Sequence, residues 1–208
     1  MIEINIDNWE RKAQYNFFKD FDDPFMGTTS NIECSQMYMK AKESNESFFI
    51  HYMHKALQVI NEIPEFRLRI LGEKVVQYPI INGTTTVFKH DKTFNFCYFK
   101  YIKNFNDFYI QTTNAIELAQ KNELLVSKPM QDLIHVSVIP WRSFTSIKHP
   151  RIFKDSDSIP KLVFGKVFKT EEKYFMPVSV DAHHALMDGY HVSEFFNKFE
   201  VLLSEKQY

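Results

Sequence analysis

The stretch KYFMPVSVDAHHALMDGYHVSEFFNKFEVLL, residues 173–203, changes its hydrophobic period partway along, and this constrains the fold more than any other part of the chain. Up to the histidines it alternates. Tyr174, Met176, Val178, Val180 and Ala182 share one side, while Phe175, Pro177, Ser179, Asp181 and His183 share the other, because successive side chains of a strand point to opposite faces. Beyond Gly189 the apolar residues Phe195, Phe196, Phe199, Leu202 and Leu203 recur at helical spacing. A strand therefore gives way to a helix at HHALMDG. Two adjacent histidines at a strand end face opposite ways, so they do not readily hold one metal ion together, and they have different tasks. Asp188 reads as the N-cap of the following helix, a role worth about 1 kcal/mol. On spacing alone His184 is either a hydrogen-bonded packing residue or a titratable functional group.

The same two periods organise the rest of the chain. DNWERKAQYNFF reads as a helix capped by Asp7 or Asn8, and SNIECSQMYM alternates as a strand would. From Ser47, SFFIHYMHKALQVINEI sets Phe49, Met53, Ala56, Leu57 and Ile60 on one helical stripe that ends before Pro64. FRLRIL and KVVQYPI flank a Gly-Glu hairpin turn, and TTTVFKH and TFNFCYFKY are strands rich in β-branched and aromatic residues. NDFYIQTTNAIELAQKNELL is the second long helix, after which DLIHVSVIPW and PKLVFGKVFKTEEKYFMPVSVDA supply three further strands, the last two joined through TEEK. Strands outnumber helices and come partly in hairpins. The expected fold class is thus α/β, a two-layer mixed β-sheet with helices packed on it, in one domain over residues 1–208.

Charge and composition exclude several classes. With 25 basic and 26 acidic residues and no long basic run, the chain is not built to neutralise a nucleic-acid backbone. No stretch of about 18 apolar residues is present to span a membrane, and the amino terminus lacks a signal-type apolar segment, so a cytoplasmic protein is expected. Cys34 and Cys97 have no metal-type spacing and read as reduced packing residues. A metal site from His184, Asp188 and His191 is conceivable by residue type but lacks any spacing such as HExxH, and no metal is assigned.

HHALMDG fits the HHxxxDG signature of CoA-dependent acyltransferases. Together with NWERK, PEFRLRI, PWRSFTS and MPVSVDAHHALMDGYHV in this order, the chain resembles the chloramphenicol acetyltransferases over nearly its whole length. The resemblance implies a homotrimer with sites at subunit interfaces, acetyl-CoA as co-substrate, no bound cofactor, and a small hydrophobic hydroxyl-bearing acceptor, chloramphenicol being the first candidate. It also implies the antibiotic-resistance setting of that family. It casts His184 as general base, Ser146 as oxyanion donor, and Asp188 and Arg11 as a supporting ion pair. Phe17, Phe18, Phe25 and Phe144 become acceptor-pocket rings, and Lys166 a cation on the CoA side. The family runs apolar, apolar, threonine after the proline matched by Pro160, whereas this chain has Lys161, Leu162 and Val163. Lys161 then brings a charge into the pocket and Val163 removes a hydroxyl. Alternatives in other classes are acyl transfer to a lipoyl thiol and a non-catalytic small-molecule binder.

Overall fold

The computed structural model describes residues 1–150 and 157–204. In chain order the elements are β1 (Ile2–Glu3), a 3-10 turn (Ile6–Asn8), α1 (Lys12–Phe18), β2 (Phe25–Glu33), α2 (Ser35–Glu43) and α3 (Phe48–Glu62). A second 3-10 turn (Pro64–Arg67), β3 (Leu68–Leu71), β4 (Lys74–Gln77), β5 (Asn82–Phe88), β6 (Phe94–Phe99) and α4 (Phe105–Lys121) follow. The chain then forms β7 (Leu133–Ile139), β8 (Lys161–Gly165), β9 (Phe168–Thr170), β10 (Lys173–His183) and α5 (Gly189–Ser204).

The large sheet has the order β2-β10-β8-β7-β5-β6, with β9 added against β10. Its centre, β5-β7-β8, is parallel and its flanks are antiparallel. The period-2 pattern of β10 separates its two faces as the sequence predicts. Val178, Val180 and Ala182 join Leu162, Phe164, Ile134 and Val136 in the core under α3 and α5. Phe164 fills the gap between these helices, its ring centroid 4.6 Å from that of Tyr52 and 6.0 Å from that of Phe199. The opposite face is different in kind. Tyr98, Thr84, His135, Lys161 and Asp181 are successive partners across β6, β5, β7, β8 and β10, so a polar row crosses the sheet.

A small antiparallel sheet, β1-β4-β3, lies beside this unit. Gly72 turns its hairpin in the left-handed region, φ +61°, where a Cβ is strained. Its Leu68, Ile70 and Val75 bury against Tyr15, Ala185 and Leu186, which fastens the hairpin and α1 to the HHALMDG turn.

Four local expectations change. The first helix starts only at Lys12; Asp7 and Asn8 lie in a 3-10 turn, which Asn5 caps by accepting from the Asp7 N–H at 3.0 Å. SNIECSQMYM is a strand only to Glu33, then helix α2. Positions 34, 37, 38 and 41 satisfy a 3.6 period, and Met37 and Ala41 bury on that helix. The stripe foreseen on α3 widens, Ile50 to Leu57 being buried without a break, because α2, α4 and α5 all flank the helix. KLVFGKVFK divides into β8 and β9 where the Lys166 N–H leaves the ladder to donate to Arg142 O at 3.0 Å.

Candidate active site

HHALMDG forms one tight turn between β10 and α5. The N–H groups of Leu186 and Met187 donate back to His183 O at 3.0 and 3.2 Å, and the His184 N–H donates to Pro24 O at 2.8 Å. Ala185, Leu186 and Met187 are all buried, so the turn is held from below by apolar packing. His184 is left only partly covered, its ring stacked on Phe18 with centroids 4.0 Å apart and planes 10° from parallel. Its Nδ1 lies 3.2 Å from Met187 O. A carbonyl has no proton to give, so Nδ1 is the donor and the neutral ring keeps the lone pair of Nε2 as a proton acceptor.

Asp188 ties the turn to the amino terminus. Its Oδ2 accepts from Arg11 Nη1 at 2.8 Å, and its Oδ1 accepts from the Tyr190 N–H at 3.0 Å and faces His191 Nδ1 at 3.0 Å. The cap and the ion pair foreseen for Asp188 therefore coexist. Burial alone would raise this carboxyl, but the Arg11 hydrogen bond, the Tyr190 N–H and the neighbouring cationic groups bring it below its ordinary value. His191 Nδ1 is engaged by Asp188 itself whereas His184 Nδ1 is turned to Met187 O, so the three side chains do not converge on a common point. Among the described residues no group of three or more metal-ligating side chains is close enough to hold an ion.

A cavity of about 850 Å³ opens on the sheet face that carries the polar row. Phe94, Phe96 and Tyr98 of β6 form its aromatic wall. Thr86, His135, Ser137, Asp157 and Lys161 form a polar wall facing the same space. Lys161 has a side chain only 10% exposed, its Nζ donating to Asp157 Oδ2 at 2.5 Å and lying 5.4 Å above the centre of the Phe25 ring. The buried lysine thus has the carboxylate it requires, since an unpaired buried ammonium would cost several kcal/mol. Burial opposes ionisation of Asp157, yet the bond and charge of Lys161 and the Ile159 N–H hold its carboxyl below the ordinary value. His135 is pushed down to about 4, chiefly by burial, with the charges of Lys161 and Arg69 also opposing its protonation and Asp157 partly offsetting them. It is a neutral imidazole at pH 7.

The residues singled out from sequence divide into groups. His184, Phe18, Asp188 and Arg11 stand together. Phe17 touches Phe18 edge-on but is 64% exposed, and Phe25 packs against His183 and Lys161. Phe144 lies at the far end of the sheet, against Gly165 and Pro177. Lys166 is exposed just beyond β8, and Ser146 is exposed on the segment between Phe144 and the cavity-lining His149. Ser137 lines the cavity from β7, paired in register with Val163 of β8. Serine at 137 was legible only as an alternating residue of IHVSVI, with nothing to separate it from a solvent-facing strand position. Strand rise and spacing place Ser137 on the order of 15–20 Å from His184 within one chain.

Comparison with known proteins gives a consistent result. The model of the family "Chloramphenicol acetyltransferase" matches residues 1–200. A chloramphenicol acetyltransferase of Clostridium butyricum is 30% identical over 203 residues, covering 96% of this chain and 93% of that one. A solved chloramphenicol acetyltransferase superposes with a TM-score of 0.87 at 32% identity, covering 98% of this chain and 100% of the other. A dihydrolipoamide acetyltransferase of Azotobacter vinelandii shares the fold at 10% identity and a TM-score of 0.69, covering 93% and 86%.

Proposed function

Because the chain belongs to the chloramphenicol acetyltransferase family and is therefore an acyltransferase, we propose that it moves the acetyl group of acetyl-CoA to a hydroxyl of a small acceptor, with His184 as general base. Nε2 takes the hydroxyl proton as the oxygen attacks the thioester carbonyl, and the tetrahedral intermediate collapses with departure of the CoA thiolate, which receives that proton. Ser146 is the side chain that would donate to the oxyanion, a contact worth roughly 3 kcal/mol. Arg11 and Asp188 position the turn that carries the base. Lys166 remains the cation offered to CoA, and chloramphenicol the first acceptor to test.

The observation that carries this reading is the His184 ring: Nδ1 is engaged by Met187 O, one face is covered by Phe18, and Nε2 has no partner among the described residues. A homotrimer, as the resemblance implies, would complete the site from a second copy. Thiol release from acetyl-CoA in the presence of chloramphenicol tests the reading. His184→Ala is expected to lower turnover by about 10²–10⁴-fold; turnover that survives the substitution refutes the assignment of the base.

A further inference from the structure

The peptide unit between Met187 and Asp188 is held at both of its polar ends by histidines. Its carbonyl, Met187 O, lies 3.2 Å from Nδ1 of His184, and its N–H, that of Asp188, donates to Nδ1 of His191 at 3.2 Å. On the far side of the second ring, Nε2 stands 3.5 Å from Oε1 of Glu65 in the 3-10 turn Pro64–Arg67. A line of contacts thus runs from Glu65 through His191 and one planar peptide to the ring proposed as base.

The direction of these bonds follows from which groups already have partners. Asp188 Oδ1 also faces His191 Nδ1 at 3.0 Å, but that oxygen accepts from the Tyr190 N–H, and Oδ2 accepts from Arg11. The Asp188 N–H has no acceptor other than His191 among the described residues. A backbone N–H left unpaired in a packed turn costs free energy, so Nδ1 of His191 is the acceptor and the ring proton lies on Nε2, toward the Glu65 carboxylate. His191 is the third residue of α5, and locally it closes a capping box with Asp188 at a position that usually carries Glu or Gln. Here the box does more than cap. It fixes the peptide plane whose carbonyl keeps the His184 proton on Nδ1 and leaves the lone pair on Nε2. We infer that His191, oriented by Glu65, is a positioning residue for the reaction, setting the tautomer and angle of the His184 ring through the Met187–Asp188 peptide, a role that rests on His184 being the base.

The test compares His191→Asn, whose amide oxygen reaches the place of Nδ1, with His191→Leu, which fills the volume but accepts nothing. Thiol release from acetyl-CoA with chloramphenicol and with benzyl alcohol gives kcat and KM. Imidazole nitrogen shifts in NMR spectra at alkaline pH give the tautomers, with His184 identified by its absence from His184→Ala. His191→Leu is expected to lower kcat about tenfold with KM within about twofold, whereas His191→Asn keeps kcat within about threefold. In His191→Leu the His184 ring should also move from its Nδ1–H form toward the mixture of a free imidazole. The natural chain should show Nδ1–H at His184 and Nε2–H at His191, a reading that needs no variant to fold. The opposite tautomer at either ring overturns the inference. So does His191→Leu with unchanged kcat or an unchanged His184 tautomer, even where its stability falls, since His191 is then a helix cap only. The expected tautomers and their change, with no thiol release from either alcohol in the natural chain, uphold the hold on the ring and overturn the acyl transfer.

Discussion

His135 makes stability depend on pH in a calculable way. Its ordinary value is 6.5, and in the folded chain it is pushed down to about 4 by burial beside Lys161, Arg69 and Asp157. Between those values the unfolded chain binds more protons than the folded one, so the contribution of the neutral ring is fully present above pH 6.5 and is lost as pH falls toward 4. Weighting both states by their protonation gives a loss of about 2 kcal/mol between pH 7 and pH 5 from this residue alone. Urea unfolding at both pH values, at one protein concentration, measures the total slope. Repeating it with His135→Asn isolates the share of the imidazole, since Asp157 and the other low-titrating carboxylates are common to both proteins. The variant should lose about 2 kcal/mol less over that interval. Parallel slopes would mean that the ring is readily protonated in the folded state, and the description of the cavity wall would be wrong.

Other consequences follow from single contacts. Ser146→Ala should lower kcat/KM by about 10²–10³-fold in thiol-release kinetics; a value within about twofold of the natural chain would remove Ser146 from the oxyanion role. In a double-mutant cycle of Arg11→Ala and Asp188→Asn, thermal unfolding should show a coupling of about 1–2 kcal/mol, and strict additivity would show the 2.8 Å pair to contribute nothing. A Cβ on Gly83 would stand 2.3 Å from Cε2 of the buried Phe99, so Gly83→Ala should cost about 1–3 kcal/mol in urea unfolding.

The strands and long helices were legible because their period is local: β10 and α5 are written in alternation and in 3.6 spacing, and Pro64 and Gly72 mark ends and turns that only their own backbones require. The helix of residues 35–43 was misread because it follows directly on the alternating Ile32 and Cys34, and only burial of Met37 and Ala41 against neighbouring elements selects the helical period. The site divides along the same line. HHALMDG with NWERK declares the proposed base, the helix cap Asp188 and its ion-pair partner Arg11 because those residues lie within one turn or belong to a recognisable pattern. Ser137, His135 and Lys161 come from strands that are distant or adjacent in the chain only by accident of topology, and their meeting depends on the parallel register of β7 with β8. Sequence alone thus determined the elements and the imidazole proposed as base, since both follow from neighbours along the chain. The tertiary structure alone decided that His135, Ser137 and Lys161 line one cavity and that the buried lysine has a carboxylate, because strand register is a property of two segments together and of neither by itself.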